Sequence, residues 1–177
     1  STRRDLMKNL YGIAPEHCFG DWKEVFNLPK FADAVIIATP DNLHYDPCMV
    51  ALAAAYHVLL EKPIEQTEKE CKNILKQAKK YGRIVGVCHV LRYSPYFRAL
   101  KRVLDEGRVG DVLSIQHLEP IRFHHFAHSY VRGNWQSAKQ TTPLILAKAC
   151  HDLDIVRWLL NKPCKQVTAF GDLSFFK

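Results

Sequence analysis

The sequence lacks the glycine signatures of a complete nucleotide site. Its eight glycines form no G-x-G-x-x-G, the turn that brings backbone N–H groups against a pyrophosphate, and no P-loop. No G-x-S-x-G marks a hydrolase nucleophile. No apolar run approaches the roughly 20 residues that span a bilayer, so no membrane partner is expected. There is no C-x-x-C. Cys18, Cys48, Cys71, Cys88, Cys150 and Cys164 have no short regular spacing, and several sit in apolar patterns where free cysteine acts as a small hydrophobe. That usage suits a reducing cytoplasm better than a disulfide framework. Internal repeats and low-complexity segments are also missing. Acidic residues are in deficit: 25 Lys and Arg against 18 Asp and Glu give a net charge of +7. The basic side chains alternate with acidic ones on helical faces (Lys69, Lys72, Lys76, Lys79 and Lys80 beside Glu65, Glu68 and Glu70). A solvated helix surface is therefore expected and no nucleic-acid partner, although the excess also suits anionic cofactors or substrates.

What is present is a regular exchange of strand and helix. DAVIIAT, from Asp33 to Thr39, is β-branched and apolar throughout, as expected of a parallel strand covered on both faces. Thr39-Pro40-Asp41-Asn42 is turn chemistry that stops it. A helix beginning near His44 is predicted to bury Met49, Val50, Leu52, Ala53 and Tyr56. His57–Leu60 is a second strand and delivers Glu61-Lys62-Pro63 at its C-terminal end. Thr67-Glu68-Lys69-Glu70 is a capping box opening a helix to Tyr81, with Cys71, Ile74, Leu75 and Ala78 inward and Gly82 as its stop. Arg83–Val90 is the next buried strand. Upstream, Asp21 caps a short helix, and the opening STRRDLMKNLYGI reads as the tail of a helix closed by Gly12; the chain is expected to be a fragment whose true start lies upstream. Downstream, Ser94-Pro95 opens a helix ended by Gly107. Asp111–Glu119 alternates as a half-buried strand, residues 120–142 are irregular, Pro143–Leu160 is one helix, and Lys165–Phe176 alternates again. The fold class is α/β: a parallel, doubly wound sheet over residues 1–92, then an α+β domain over 93–177.

Three groups of residues carry possible chemistry. Lys62 sits at a strand tip, its backbone restrained by Pro63, where an ammonium can stabilise developing alkoxide charge; the alternative is an ion-paired surface lysine. In Lys148-Ala149-Cys150-His151-Asp152-Leu153-Asp154, a continuous helix puts Lys148, His151 and Asp152 on one face, with Asp154 a turn on from His151. Burying them is costly unless they pair or line a cavity. His151 there suits proton exchange near neutral pH, or else forms a structural pair with an aspartate. His124 and His128 have helical ligand spacing, but no Cys or carboxylate accompanies them and Gly133 argues against a regular helix, so no metal is expected. HHFAHSYVRGNW instead suits a substrate-facing or merely solvated loop.

The run IIATPDNLHYDP…HVLLEKP, with Arg92 and Ser94-Pro95 at the next strand–helix junction and HSYVRGNW and LAKACHDLD beyond, closely resembles the Gfo/Idh/MocA family of nicotinamide-dependent oxidoreductases. The resemblance implies a partial Rossmann domain (1–92) followed by part of a substrate-binding and oligomerisation domain with an open, mainly antiparallel sheet (93–177). It implies hydride transfer between NAD or NADP and a sugar, inositol or related polyol, and a homo-oligomer assembled through the second-domain sheet. Lys62 and His151 would be catalytic. Thr39, Pro40, Asn42, His44, Glu61, Lys62 and Arg92 would contact the cofactor, and Lys148, Asp154, His128, Arg132 and Trp135 the substrate. The family's common aspartate one turn before that histidine is Ala147 here, with Lys148 beside it. The family's first strand and glycine loop are not in this sequence. A redox-neutral family member, or a non-catalytic binding protein that keeps the fold, are the alternatives.

Overall fold

A computed structural model describes residues 2–137, 141–172 and 175. Its contacts divide the chain into two units, Ser1–Thr39 with Leu43–Glu61 and Thr67–Gly86, and Pro40–Asn42 with Lys62–Gln66 and Val87–Lys177.

The first unit is a three-stranded sheet of β1 (Ala34–Ile37), β2 (His57–Leu60) and β3 (Val85–Val87), in that order. β1 and β2 are parallel, with Ala34 opposite His57 and Ile37 opposite Leu60. A parallel pair needs a long crossover, and α3 (Tyr45–Ala53) supplies it; α4 (Glu68–Tyr81) leads to β3. Local sequence sets the helix ends. Thr67 accepts the Glu70 N–H at 3.2 Å and its hydroxyl donates to the Glu70 carboxylate at 2.5 Å, and Gly82 closes α4 at φ 60°, a conformation glycine takes without steric cost. Upstream, α1 (Thr2–Tyr11) ends at Gly12, and Asp21 accepts the Lys23 N–H to cap α2 (Trp22–Val25).

The core of this unit is Ile37, Cys48, Ala51, Leu52, Tyr56, Val58, Leu60, Ile74 and Ala78. Burying Leu52 and Leu60 contributes about 2 kcal/mol each. Only one sheet face is buried, which corrects the expectation of a doubly covered strand: Ile36, Leu59 and Ile84 are 70%, 41% and 70% exposed. An apolar run shows that a strand can be covered, not that a helix lies over each face. The stripe expected of α3 holds at Leu52 and Tyr56, both buried, but not throughout. Pro47, Cys48, Ala51 and Leu52 face inward, whereas Val50 and Ala53 are exposed. In α4, Ile74 and Ala78 are buried but Leu75 is exposed. The strand expected to reach Val90 ends at Val87, and Val90–Tyr93 is a 3₁₀ turn.

In the second unit, Ser94 accepts the Phe97 N–H and Pro95 occupies the first position of α5 (Pro95–Asp105). α5 and the Val90–Tyr93 turn both pack on α8 (Cys150–Leu160), whose Ile155 and Leu159 are buried. The region expected to be irregular contains α6 (Phe123–Phe126) continuing into a π-helical turn, Ala127–Val131. Gly133 lies against that turn so closely that a Cβ there would stand 2.1 Å from the His128 carbonyl oxygen.

Two expectations fail in this unit. The helix expected from Pro143 to Leu160 is broken: α7 (Leu144–Ala147) ends at Lys148, where φ is −118° and ψ −56°, and α8 restarts at Cys150. The alternating segments 111–119 and 165–172 form no ladder among the described residues, so the antiparallel sheet is not formed there; residues 173, 174, 176 and 177 lie outside the described residues. Alternation fits a half-buried strand, but a ladder needs a partner strand, and Leu113, Leu118, Val167 and Phe170 are all exposed.

Candidate active site

In the first unit, β1 and β2 end at the same edge, where Glu61 N–H donates to Ile37 carbonyl at 2.9 Å. Thr39 begins the turn that follows β1. Its hydroxyl donates to the Leu43 carbonyl at 2.9 Å, and the ring Nε2 of His44 lies 2.9 Å from the Thr39 carbonyl oxygen. His44 is fully buried, so its five-residue spacing from Thr39 braces the turn. Thr39 and Glu61 remain half-buried.

In the second unit, Lys62 Nζ donates to the Ala147 carbonyl at 2.9 Å, 85 positions away. The helix break explains this contact. In a continuous helix the Ala147 carbonyl accepts the N–H of residue 151. Here His151 N–H turns instead to the Lys148 carbonyl at 3.3 Å, and the Ala147 oxygen faces the lysine. A second tie runs from Gln66 Nε2 to the Thr141 carbonyl at 2.9 Å. The loop 62–66 is thereby fastened near both ends of α7.

His151 lies at the start of α8. Its Nδ1 is buried and has no hydrogen-bond partner among the described residues. Burial pushes the imidazole pKa down, and the Lys62 cation, His89 and Lys148 add to that. A neutral ring able to accept a proton at neutral pH follows. The His89 ring meets it edge-on at 6.0 Å between centroids, and His89 Nδ1 is 3.2 Å from Asp154 Oδ1. Burial also lowers the His89 pKa, with Asp154 pulling it back up. Asp154 is gripped by Arg92 at 2.7 and 2.6 Å, a bond that raises the guanidinium pKa. Asp152 pairs with His117 Nε2 at 2.6 Å, and Lys148 lies 3.4 Å from Glu119. These four residues, with Ile121, Leu144, Ile145 and Ala149, line a cavity of about 350 Å³.

The sequence-predicted residues thus fall into three sets. Lys62, Lys148 and His151 come together electrostatically, but the break removes the single helix face on which Lys148 and His151 were expected. Arg92 and Asp154, expected to face cofactor and substrate respectively, hold each other. Trp135 donates its indole N–H to Asp41 at 2.9 Å, while His128, Arg132, Pro40 and Asn42 are exposed. Sequence reasoning missed His89, His117, Asp41 and Thr142. Only His89 carried a signal, as an ionisable residue just beyond a strand and three positions before Arg92.

The chain matches two family models, the oxidoreductase family with an NAD-binding Rossmann fold over residues 3–89 and the GFO/IDH/MocA C-terminal domain over residues 97–176. It is 32% identical over 138 residues to inositol 2-dehydrogenase 2 of Saccharopolyspora erythraea, covering 77% of this chain and 38% of that protein. It is 28% identical over 142 residues to 2,7-anhydro-N-acetylneuraminate hydratase of Escherichia coli, covering 80% of this chain and 37% of that protein. The chain therefore spans less than half the length of the curated relatives it matches. In fold it is similar to an inositol dehydrogenase homologue from Azotobacter vinelandii solved with NAD+, with a TM-score of 0.77 at 21% identity, covering 89% of this chain and 43% of that one.

Proposed function

Because this chain belongs to the Gfo/Idh/MocA oxidoreductase family, we propose that the whole protein is a dehydrogenase moving hydride between a sugar, inositol or related polyol and NAD or NADP. The observation that carries this is the unpartnered, buried Nδ1 of a neutral His151 beside the Lys62 ammonium. Such a pair suits a carbinol. His151 takes the hydroxyl proton, and Lys62, fixed by the Ala147 carbonyl, stabilises the negative charge left on oxygen. In the first unit, the hydroxyl of Thr39 and the carboxylate of Glu61, at the C-terminal ends of parallel strands, suit the ribose hydroxyls of a dinucleotide. When bound, the nicotinamide supplies the hydride-accepting carbon.

The change of family model between residues 89 and 97 supports the division into domains at residue 92. Assembly into a homo-oligomer through the exposed apolar segments 111–119 and 165–172, and a reducing cytoplasm for the six free cysteines, belong to the same proposal. No helix among the described residues is long and apolar enough to cross a membrane.

The test is substitution in the native protein. Lys62→Ala and His151→Ala are each expected to abolish most turnover on a polyol panel while circular dichroism stays unchanged; full turnover in both overturns the assignment. One observation favours a redox-neutral reaction instead, namely that the E. coli relative is named a hydratase. Net NAD(P)H formation across the panel separates the two.

A further inference from the structure

Asp41 stands in the turn after β1, yet it is only 7% exposed. Its Oδ2 accepts the Trp135 indole N–H at 2.9 Å and also accepts the hydroxyl of Thr142, which is completely buried. A buried carboxylate is costly without such donors, so this is a fixed junction. Thr142 is separated from α7 only by Pro143. The far end of α7 is Ala147, whose carbonyl receives Lys62. The same stretch is held at Thr141 by Gln66. One helical turn is thus anchored by Asp41 at its start and presents an acceptor at its end.

We infer that Asp41 is a positioning residue for Lys62, acting through Thr142 and α7, so that its carboxylate sets where the Ala147 carbonyl meets the ammonium. This rests on the role proposed for Lys62. Displacement of a catalytic group by about 1 Å is enough to cost up to 100-fold in rate, and α7, with four residues, has little stiffness of its own.

The experiment compares Asp41→Ala and Thr142→Val with the acceptor- and donor-preserving Asp41→Asn and Thr142→Ser in the native protein. Two readouts are taken: steady-state kinetics, and the rate at which acetic anhydride labels Lys62 in folded protein, followed by mass spectrometry. The first pair is expected to lose about 10-fold or more in kcat with KM nearly unchanged, and to label at Lys62 several-fold faster. The second pair restores both. If Lys62→Ala is inactive but Thr142→Val and Asp41→Ala keep native kcat and native labelling, the inference is wrong and the functional proposal stands. If Lys62→Ala turns over normally, the functional proposal fails, and labelling alone decides the inference: unchanged labelling in Thr142→Val overturns it. Asp41→Ala is the variant at risk of misfolding. Thr142→Val, which keeps the volume and loses one donor, keeps the comparison decisive.

Discussion

Arg92 clasps Asp154 in a two-pronged bond, Nε to Oδ2 at 2.7 Å and Nη2 to Oδ1 at 2.6 Å, while His89 Nδ1 approaches the same carboxylate at 3.2 Å. The carboxylate supports both neighbours. Asp154→Asn is expected to lower stability by roughly 2 kcal/mol, the scale of hydrogen bonds to charged groups. It should also push the His89 pKa further down, since the aspartate is what raises it. NMR titration of the His89 ring checks this; an unmoved titration contradicts it. Arg92→Lys is not conservative here, because an ammonium cannot make the paired bond.

Lys62 contributes to the low pKa of His151, second to burial. Lys62→Met removes that cation, so the residual activity should have an acid limb shifted to higher pH, because His151 then holds its proton longer. A pH profile of kcat/KM measures it, and a shift to lower pH refutes it.

His89 and His151 both have folded pKa values below their ordinary 6.5. Between the folded value and 6.5 the unfolded chain binds more protons, so stability falls as pH drops through that window and is fully present above it. Urea unfolding at about pH 7.5 and about pH 5 should show the loss. Replacing both histidines by asparagine should reduce the difference between the two pH values.

Gly133→Ala would place a methyl group 2.1 Å from the His128 carbonyl oxygen and 2.9 Å from that of Ser129. Both are backbone atoms, so no rotamer change relieves the clash. A loss of roughly 3 kcal/mol is expected by thermal unfolding, with the Ala127–Val131 turn losing amide protection. An unchanged Tm would contradict the close approach.

The helix caps were legible in the sequence because capping is local: Ser94, Thr67 and Gly82 sit within four residues of the groups they satisfy. The β1–α3–β2 crossover was legible for a similar reason, its strands being bounded by turn residues. The break at Lys148–Ala149 was not. Ala-Lys-Ala is a good helix-forming run with neither proline nor glycine, and only the contacts of the folded chain interrupt it. The partners of Asp154, Asp152 and Asp41 lie 62, 35 and up to 101 positions away, beyond the reach of periodicity. The half-buried strand expected at 111–119 did not form, because alternation in sequence does not supply a ladder partner.

The grip on Lys62 is made by a main-chain oxygen at Ala147. A side-chain partner can be lost in a single codon change, but every amino acid carries a carbonyl. What restrains position 147 is its 1% exposure, which limits volume, and its N–H, which donates to Pro143 at 2.9 Å and so excludes proline. Glycine or serine there should leave the lysine held. The last residue of α7 is thus free to drift in chemistry, within a size limit, without releasing the ammonium that its carbonyl holds.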